Sequence, residues 1–170
     1  MVKGLKSPSS PVIVSFSVGE TIANTYEQTQ VNLSLNVLDQ EVFVCTGINL
    51  DLLPPDAVPG VTTRVRGQLS STSRTSIGNL SNSNILAIGR DDIVMSPGGV
   101  EGVAFSAMFG ESPAIGMDYL AIIATNDFFV AIEGNGNLGT KAMSGKLYGY
   151  RAVADASTFA ALTQSELLSQ

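Results

Sequence analysis

The sequence predicts an all-β fold, an antiparallel sandwich or barrel of about eight to ten strands with a short C-terminal helix. Apolar and polar residues alternate along most of the chain, as in Val31–Val37, and this period of two is typical of a strand with one buried face. Breaks rich in Gly, Pro, Ser and Asn separate the runs at roughly the 8–12-residue spacing of a sandwich. Helical segments do not alternate with the strands, which disfavours a parallel α/β sheet.

Alternating or apolar runs define the predicted strands. Val65 and Leu69 are expected to point inward from their run. Asp118–Thr125 is almost continuously apolar, which predicts a central strand covered on both faces. Ile93–Met95 either continues the run before it or forms another strand. The predicted strands are Val12–Val18, Thr29–Leu38, Glu41–Leu53, Thr62–Ser71, Asn84–Gly89, Val100–Phe109, Asp118–Thr125, Phe128–Glu133 and Ala142–Val153.

The segments between the runs carry turn and loop chemistry. Asp39-Gln40 separates two alternating runs by two residues, which predicts a hairpin. Leu53–Gly60 contains three prolines and cannot lie inside a sheet, and Thr72–Asn84 is a long loop rich in Ser, Thr and Asn. Gly134–Gly139 matches the dinucleotide-binding pattern G-x-G-x-x-G. The residues after it alternate like a strand and do not open a helix, so we interpret it as a hairpin loop.

The two ends of the chain differ from the middle, which gives three segments. Residues 1–11 are rich in Ser, Pro and Lys and are interpreted as a flexible N-terminal arm. Residues 12–153 hold all the predicted strands and form one β-sandwich domain. Residues 154–170 form a C-terminal helix and tail.

The helix prediction covers Ala154–Leu168. This segment is rich in good helix formers, and Phe159 and Leu162 are three residues apart, which places them on one helical face. Asp155 or Ser157 is expected near the N-terminal cap. A helix this short is expected to dock on the sheet or on a neighbouring subunit.

Charge and the ends of the sequence limit partners and location. Fifteen acidic residues against nine basic ones give a net charge of −6, which disfavours general contact with nucleic-acid phosphate. Only 14% of the residues are charged, and interfaces are depleted in Lys and Glu. The N-terminus lacks the apolar core of a secretory signal. No apolar run is nearly as long as the about 18 residues that a membrane-spanning helix needs. We expect synthesis in a cytoplasm.

Side chains suited to chemistry are scarce, so we expect no enzyme, no cofactor and no metal centre. The chain has no His to activate a nucleophile, and its one Cys, Cys45, lies in an apolar run where a buried thiol is expected. Asp91 and Asp92 are interpreted as a solvated turn or as ion-pair partners of a neighbour's arginine. A hard cation at an interface is the other reading of this acidic pair.

The candidate interface residues are scattered charged and apolar groups. Arg64 and Arg66 share one face of a strand, with Arg74 in the loop beyond. They are either an intersubunit or nucleic-acid contact or an ordinary exposed sheet face. The complete set of candidates for assembly contacts is Lys3, Lys6, Arg64, Arg66, Arg74, Asp91, Asp92, Phe159, Leu162 and Leu167.

The order of these features resembles that of a known family. A short polar arm precedes the strands, and Tyr119–Thr125 and Phe128–Glu133 lead through Gly134–Gly139 into Ser144–Arg151, with a short helix at the end. In this respect the chain resembles small viral capsid proteins of the single jelly-roll type. The arm departs from the pattern because it is not strongly basic. The departure implies that the genome is enclosed by another layer, such as a membrane, or contacted by another protein.

The resemblance implies an antiparallel β-sandwich of jelly-roll type, in which two four-stranded sheets pack face to face. It implies self-assembly into a viral capsid or similar large symmetric shell, with copies of itself and other virion proteins as partners and the virion as location. Contacts would come from Leu53–Gly60, Thr72–Asn84, Gly110–Gly116 and both termini. The implied core includes Val31, Leu33, Leu35, Val44, Ile122 and Phe129.

Two other functions remain open from the sequence. One is a small oligomer, such as a trimer, of a β-sandwich module that binds a glycan or a receptor through its loops. The other is an accessory decoration protein on a shell made by another protein.

Overall fold

The structure, a computed structural model, describes residues 4–168, without the side chain of Leu167. It confirms the predicted all-β sandwich with a C-terminal helix. The elements in chain order are β1 (Leu5–Lys6), β2 (Val12–Gly19), β3 (Glu27–Asn32), β4 (Glu41–Leu52), β5 (Thr63–Ser70), β6 (Ile85–Met95), β7 (Gly102–Phe109), β8 (Ala121–Ile123), β9 (Asp127–Asn135), β10 (Ala142–Ala154) and α1 (Ala156–Leu168).

The strands form two antiparallel five-stranded sheets. In the first sheet, β10 lies between β4 and the pair β1 and β2, and β8 follows β4 at the other edge. The second sheet has the order β3-β9-β5-β6-β7. Most connections cross from one sheet to the other, and only β5–β6 and β6–β7 are hairpins within a sheet. Without β1 and β7, these are the two four-stranded sheets of a jelly roll, as predicted.

The core between the sheets is built by the inward residues of the alternating runs. Val65 and Leu69 are fully buried there, as predicted. The rings of Phe16 and Phe128 meet edge to face across the sandwich, with centroids 5.8 Å apart. Burial of large side chains of this kind supplies most of the folding free energy of a domain.

A second apolar cluster lies on the outer side of the first sheet, and it corrects part of the predicted core. Val44 and Ile122 pack there, together with Phe159 and Leu162 of α1, and not between the sheets. Because α1 covers this part of the sheet, both faces of β4 and β8 are apolar. Alternation alone therefore could not identify the inner face.

Two predicted hairpins are wrong. The strand predicted at Thr29–Leu38 ends at Asn32, and β3 pairs with β9 and not with β4. Residues 33–40 instead cross to the first sheet, burying Leu33 and Leu35 on the way, which explains why the alternation continues beyond the strand. Gly134–Gly139 also crosses between sheets, because β9 and β10 lie in different ones.

Two strand assignments also change. The apolar run at Asp118–Thr125 contains only the three-residue β8, at the edge of the first sheet and not at its centre. Its faces are nevertheless both covered, one by the core and one by the cluster under α1. Asn84–Gly89 and Ile93–Met95 belong to one strand of eleven residues, β6.

The termini meet on the first sheet. Leu5 of β1 is buried and pairs with Ala154 of β10, so the described part of the predicted arm lies along the chain's own sheet. The backbone N–H of Asp155 donates to the Gly4 carbonyl at 3.0 Å. Asp155 caps α1 by accepting a hydrogen bond from the Thr158 N–H at 2.8 Å, and this bond lowers the pKa of Asp155.

No helix within residues 4–168 combines the length and apolar character needed to span a membrane.

Removing a core aromatic ring should destabilise the domain far more than removing an exposed one. Phe128 is fully buried and Phe109 is about half exposed. We expect Phe128→Ala to lower the free energy of unfolding by about 3–5 kcal/mol, the usual effect of a large cavity. Phe109→Ala is the matched control and should cost under about 1 kcal/mol in urea unfolding of dilute protein. Equal losses would contradict the assigned core.

Candidate assembly surfaces

Four connections meet at one end of the sandwich. Strands β2, β4, β6 and β9 all end there, and the strands that follow them begin there, as the pairing of Gly19 with Ala142 and of Met95 with Gly102 shows. The segments are 20–26, 53–62, 96–101 and 136–141. Side chains from distant parts of the sequence therefore form one surface.

A buried carboxylate fixes this end. Glu20, in the first of these segments, accepts the N–H groups of Gly134 at 2.7 Å, Lys141 at 2.8 Å and Thr25 at 3.1 Å. Hydrogen bonds from backbone N–H to an ionised group are stronger than those between neutral groups. One side chain thus holds the ends of two strands from different sheets and one loop.

The G-x-G-x-x-G segment belongs to the same polar network. Asn137 exchanges two hydrogen bonds of 2.8 Å with Asn24, and its Oδ1 accepts the Asp56 N–H at 3.0 Å. A Cβ at Gly136, whose φ is +71°, would lie 2.9 Å from the Thr62 carbonyl oxygen. These contacts give the loop a structural role, and β10 follows it where a dinucleotide site needs a helix.

Lys141 and Asp56 complete the network. The buried Lys141 Nζ lies 2.5 Å from Asp56 Oδ1 and donates to the Pro54 carbonyl at 3.0 Å. Asp56 also accepts the N–H groups of Leu138 at 2.9 Å and Gly139 at 3.1 Å. The bond from Lys141, aided by these N–H groups, lowers the pKa of Asp56. The segments 53–62 and 136–141 are therefore locked together.

The four loops at this end present aliphatic side chains to solvent. Leu138 is 80% exposed and Val100 is 85% exposed, each near the tip of its own loop. We name this group the loop crown, and sequence analysis missed it because its members come from four loops that are far apart in the sequence. Its members are Ile22, Leu53, Val61, Val100 and Leu138.

The predicted basic cluster is neutralised on the outer face of the second sheet. Arg64 Nε and Arg90 Nε lie 2.6 and 2.8 Å from the two carboxylate oxygens of Asp92, whose side chain is only 1% exposed. Arg66 Nη2 lies 2.8 Å from Glu133 Oε2.

The predicted turn at Asp91-Asp92 is wrong, because both residues lie within β6. Asp91 is paired with Val65, on the other face of the sheet.

The remaining basic candidates lie apart. The backbone N–H of Arg74 donates to Gln28 Oε1 at 2.8 Å, and the Nη1 of its side chain donates to Asn84 Oδ1 at 3.2 Å. Arg74 therefore holds the long loop against β3. Lys6 is exposed on β1. Lys3 lies outside the described residues. The structure brings Arg64 and Arg66 together but does not add Arg74 or Lys6 to them.

The C-terminal helix is docked on its own chain. Phe159 and Leu162 are half-buried against the outer cluster of the first sheet, and the side chain of Leu167 is outside the described part. Glu166 accepts the N–H groups of Ala124 at 3.0 Å and Thr125 at 3.1 Å, directly after β8. Burial raises the pKa of Glu166.

Strand β7 carries a second exposed apolar surface. Val103, Phe105, Ala107 and Phe109 share the outer face of the second sheet, and Phe105 is 56% exposed. A groove of about 460 Å³ runs beside Phe109. Alternation along β7 puts Val103 and Phe105 on one face, and their exposure follows from β7 being the outermost strand. We name these four residues the β7 face.

The described part of the chain has one buried thiol, Cys45, and its acidic residues form no metal-binding group. Burial raises the pKa of the Cys45 thiol to about 12, so it is protonated at neutral pH. Among residues 4–168, no group of three or more Cys, Asp or Glu side chains could hold a metal ion. The loop crown and the β7 face are two exposed apolar surfaces of the described part.

Comparison with known proteins gives only distant likeness, and it is to solved structures. No protein-family model and no curated protein matches the chain. Among solved structures, it is similar to one titled Desmodium yellow mottle tymovirus, with 13% identity, a TM-score of 0.32, and coverage of 89% of this chain and 93% of that one. A likeness this distant carries no argument about function, and the jelly-roll assignment depends on the strand order of this chain.

Helix docking should depend on pH through Glu166. Because burial raises its folded pKa, the folded state holds this proton more tightly than the unfolded chain does. The resulting stability is fully present below the ordinary pKa of 4.5 and is lost as pH rises through the raised folded value. We expect the stability of the wild type relative to Glu166→Gln to fall with rising pH in that window.

Urea unfolding of both proteins from about pH 4 to 7 measures this difference. The other carboxylates titrate in both proteins, so their contributions cancel. Curves that stay parallel over the whole range would contradict the burial of Glu166 against β8.

Proposed function

We propose that this chain is a structural protein that assembles with copies of itself into a closed shell of the viral-capsid type. The observation that supports it is the presence of two exposed apolar surfaces, the loop crown and the β7 face, on one rigid jelly roll. The crown lies at the end of the strands, whereas the β7 face lies along the side of a sheet. The two surfaces therefore face different neighbours.

A closed shell needs more than one kind of contact per subunit. A single self-complementary surface produces a dimer and stops, whereas two differently oriented surfaces allow each subunit to join several others. Contacts that are weak individually become stable when many are made at once. The low charge of the sequence, 14% of residues, suits such repeated protein contacts.

The electrostatics favour contacts between proteins over contacts with nucleic acid. Arg64, Arg66 and Arg90 are each paired with a carboxylate, and the net charge is −6. Binding to phosphate depends on unpaired Lys and Arg. In this proposal the shell protein resides in the virion after synthesis in the host cytoplasm, has other virion proteins as partners beside copies of itself, and has no catalytic role.

A second function is favoured by the hydrogen bonds that hold three of the four loops of the crown. Loops that are locked before binding lose little conformational entropy when a partner docks, and recognition surfaces are commonly built this way. The alternative is therefore a small oligomer that binds a receptor or glycan through the crown, or an accessory protein on another shell. The size of the assembly separates these functions.

Assembly of the purified protein tests the proposal. We expect light scattering and negative-stain electron microscopy to show large particles of one repeating unit as concentration rises. A protein that remains monomeric at every concentration and salt level would overturn the proposal, and a stable trimer would favour the binding module.

Variants show whether the loop crown takes part. Leu138→Glu places a charge in the crown, so we expect it to abolish large particles while leaving the unfolding temperature within a few degrees. The matched control is Leu38→Glu, because Leu38 is 95% exposed at the opposite end of the sandwich. Equal loss of assembly from both variants would show that the crown has no special role.

A further inference from the structure

Strand β7 is an edge strand without the usual protection. It spans eight residues, and no strand within residues 4–168 pairs with its outer side. Gly102–Phe109 contains no charged residue and no proline. Proteins normally shield such an edge with charges, proline, a bulge or a covering loop, because its free N–H and C=O groups can pair with another strand.

Two other edges of the sandwich are short or covered. Beside β3, Gln28 bonds to Ser73 Oγ and to the Arg74 N–H, each at 2.8 Å, so the long loop lies against that strand. Beyond the three-residue β8, Glu166 of α1 takes the next two N–H groups. These two edges are therefore closed, whereas the edge at β7 is open.

Strand β2 is the comparable edge, on the opposite side of the molecule. It also has eight residues without a charge. Its exposed face, however, carries Ser15 and Ser17 with one large apolar residue, Ile13. The β7 face carries three large apolar residues, each more than half exposed. An apolar face beside a free edge favours β7 as the strand that meets a partner.

The sequence of β7 fits a second copy of itself. Antiparallel pairing about a two-fold axis at Phe105 puts the two Phe105 rings opposite each other and Val103 opposite Ala107 of the other copy. Residues directly opposite in an antiparallel pair share one face, so both apolar faces join. Moving the axis to Ser106 would instead place Glu101 opposite Glu111, with like charges facing each other.

We propose that β7 pairs with β7 of a second copy about a two-fold axis at Phe105, joining two five-stranded sheets into one. This inference rests on the proposed self-assembly and assigns one of its contacts. An interface of this kind is isologous, because the same surface is used by both subunits. The hydrogen bonds come from the backbone, while the paired side chains set the register.

Charge reversal at the axis tests the pairing. In this register residue 105 faces its own copy, so Phe105→Lys alone and Phe105→Glu alone each bring like charges together. We expect each to weaken dimerisation by about 30-fold or more in sedimentation velocity, the effect of losing an interface hot spot. An equimolar mixture of the two variants should restore the dimer, because opposite charges then meet.

Ile13→Lys and Ile13→Glu are the matched controls. Ile13 is 58% exposed on β2 and Phe105 is 56% exposed on β7, so the change in exposed surface is similar. We expect the Ile13 variants to dimerise like the wild type, alone or mixed. Unimpaired dimerisation of both Phe105 variants, or no recovery in their mixture, would overturn the β7 pairing.

Disulfide formation tests the register. The proposed pairing places residue 104 opposite residue 106 of the other copy, at a separation that a disulfide spans. The double variant Ala104→Cys/Ser106→Cys should therefore give a covalent dimer under mild oxidation, whereas each single variant should not. The native Cys45 is fully buried and gives no background. A covalent dimer from Ser106→Cys alone, equal in yield to the double variant, would overturn the register.

These experiments separate failure of the pairing from failure of the proposed function. A wild type that never associates would overturn both. A wild type that forms large particles, with Phe105 variants that form them equally well, would overturn the β7 pairing and leave self-assembly intact.

Discussion

The exposed strand edges of an open sandwich can pair with other chains unless they are covered, and this constraint explains much of the molecule. Strands β1 and β2 pair with different parts of β10. One strand therefore supplies backbone hydrogen-bond partners to two segments of the chain. The helix α1 covers part of the outer face of the first sheet, and its Glu166 accepts hydrogen bonds from N–H groups beyond β8. The long loop lies against β3. After these elements are placed, β7 remains as an uncovered strand with an apolar face.

A second constraint comes from the connections that cross between sheets. A jelly roll separates strands that are neighbours in sequence, so something must hold the ends of its two sheets in register. Glu20, Asn137 and the ion pair of Lys141 with Asp56 do this with buried hydrogen bonds to backbone groups. A buried polar network is stabilising only when its members are satisfied, and here it fixes three of the four loops that carry the crown. Rigidity at this end and exposure at β7 therefore have different physical origins.

The sequence predicted where most strands lie but not how they pair. Alternation reports that one face of a segment is buried, so β4, β5 and β10 were located to within a residue or two. The same signal continued through Leu33 and Leu35 in a crossing segment, and it could not show that Val44 faces α1 and not the core. The shared face of Arg64 and Arg66 was predictable, whereas Asp92 and Glu133 are 28 and 67 residues away from them and meet them only through sheet order. The loop crown could not be predicted from the sequence, because no local pattern shows that four separate loops meet at one end of the sandwich.

Hydrogen exchange of the backbone amides at 102–109 tests the central claim most directly. The measurement compares dispersed and assembled wild-type protein and reads each amide without altering the surface. If copies join through β7, the amides on its outer side should exchange slowly only in the assembled protein, while those of β2 stay unchanged. Particles that form with no added protection at 102–109 would contradict the account, because the free edge would then still face solvent.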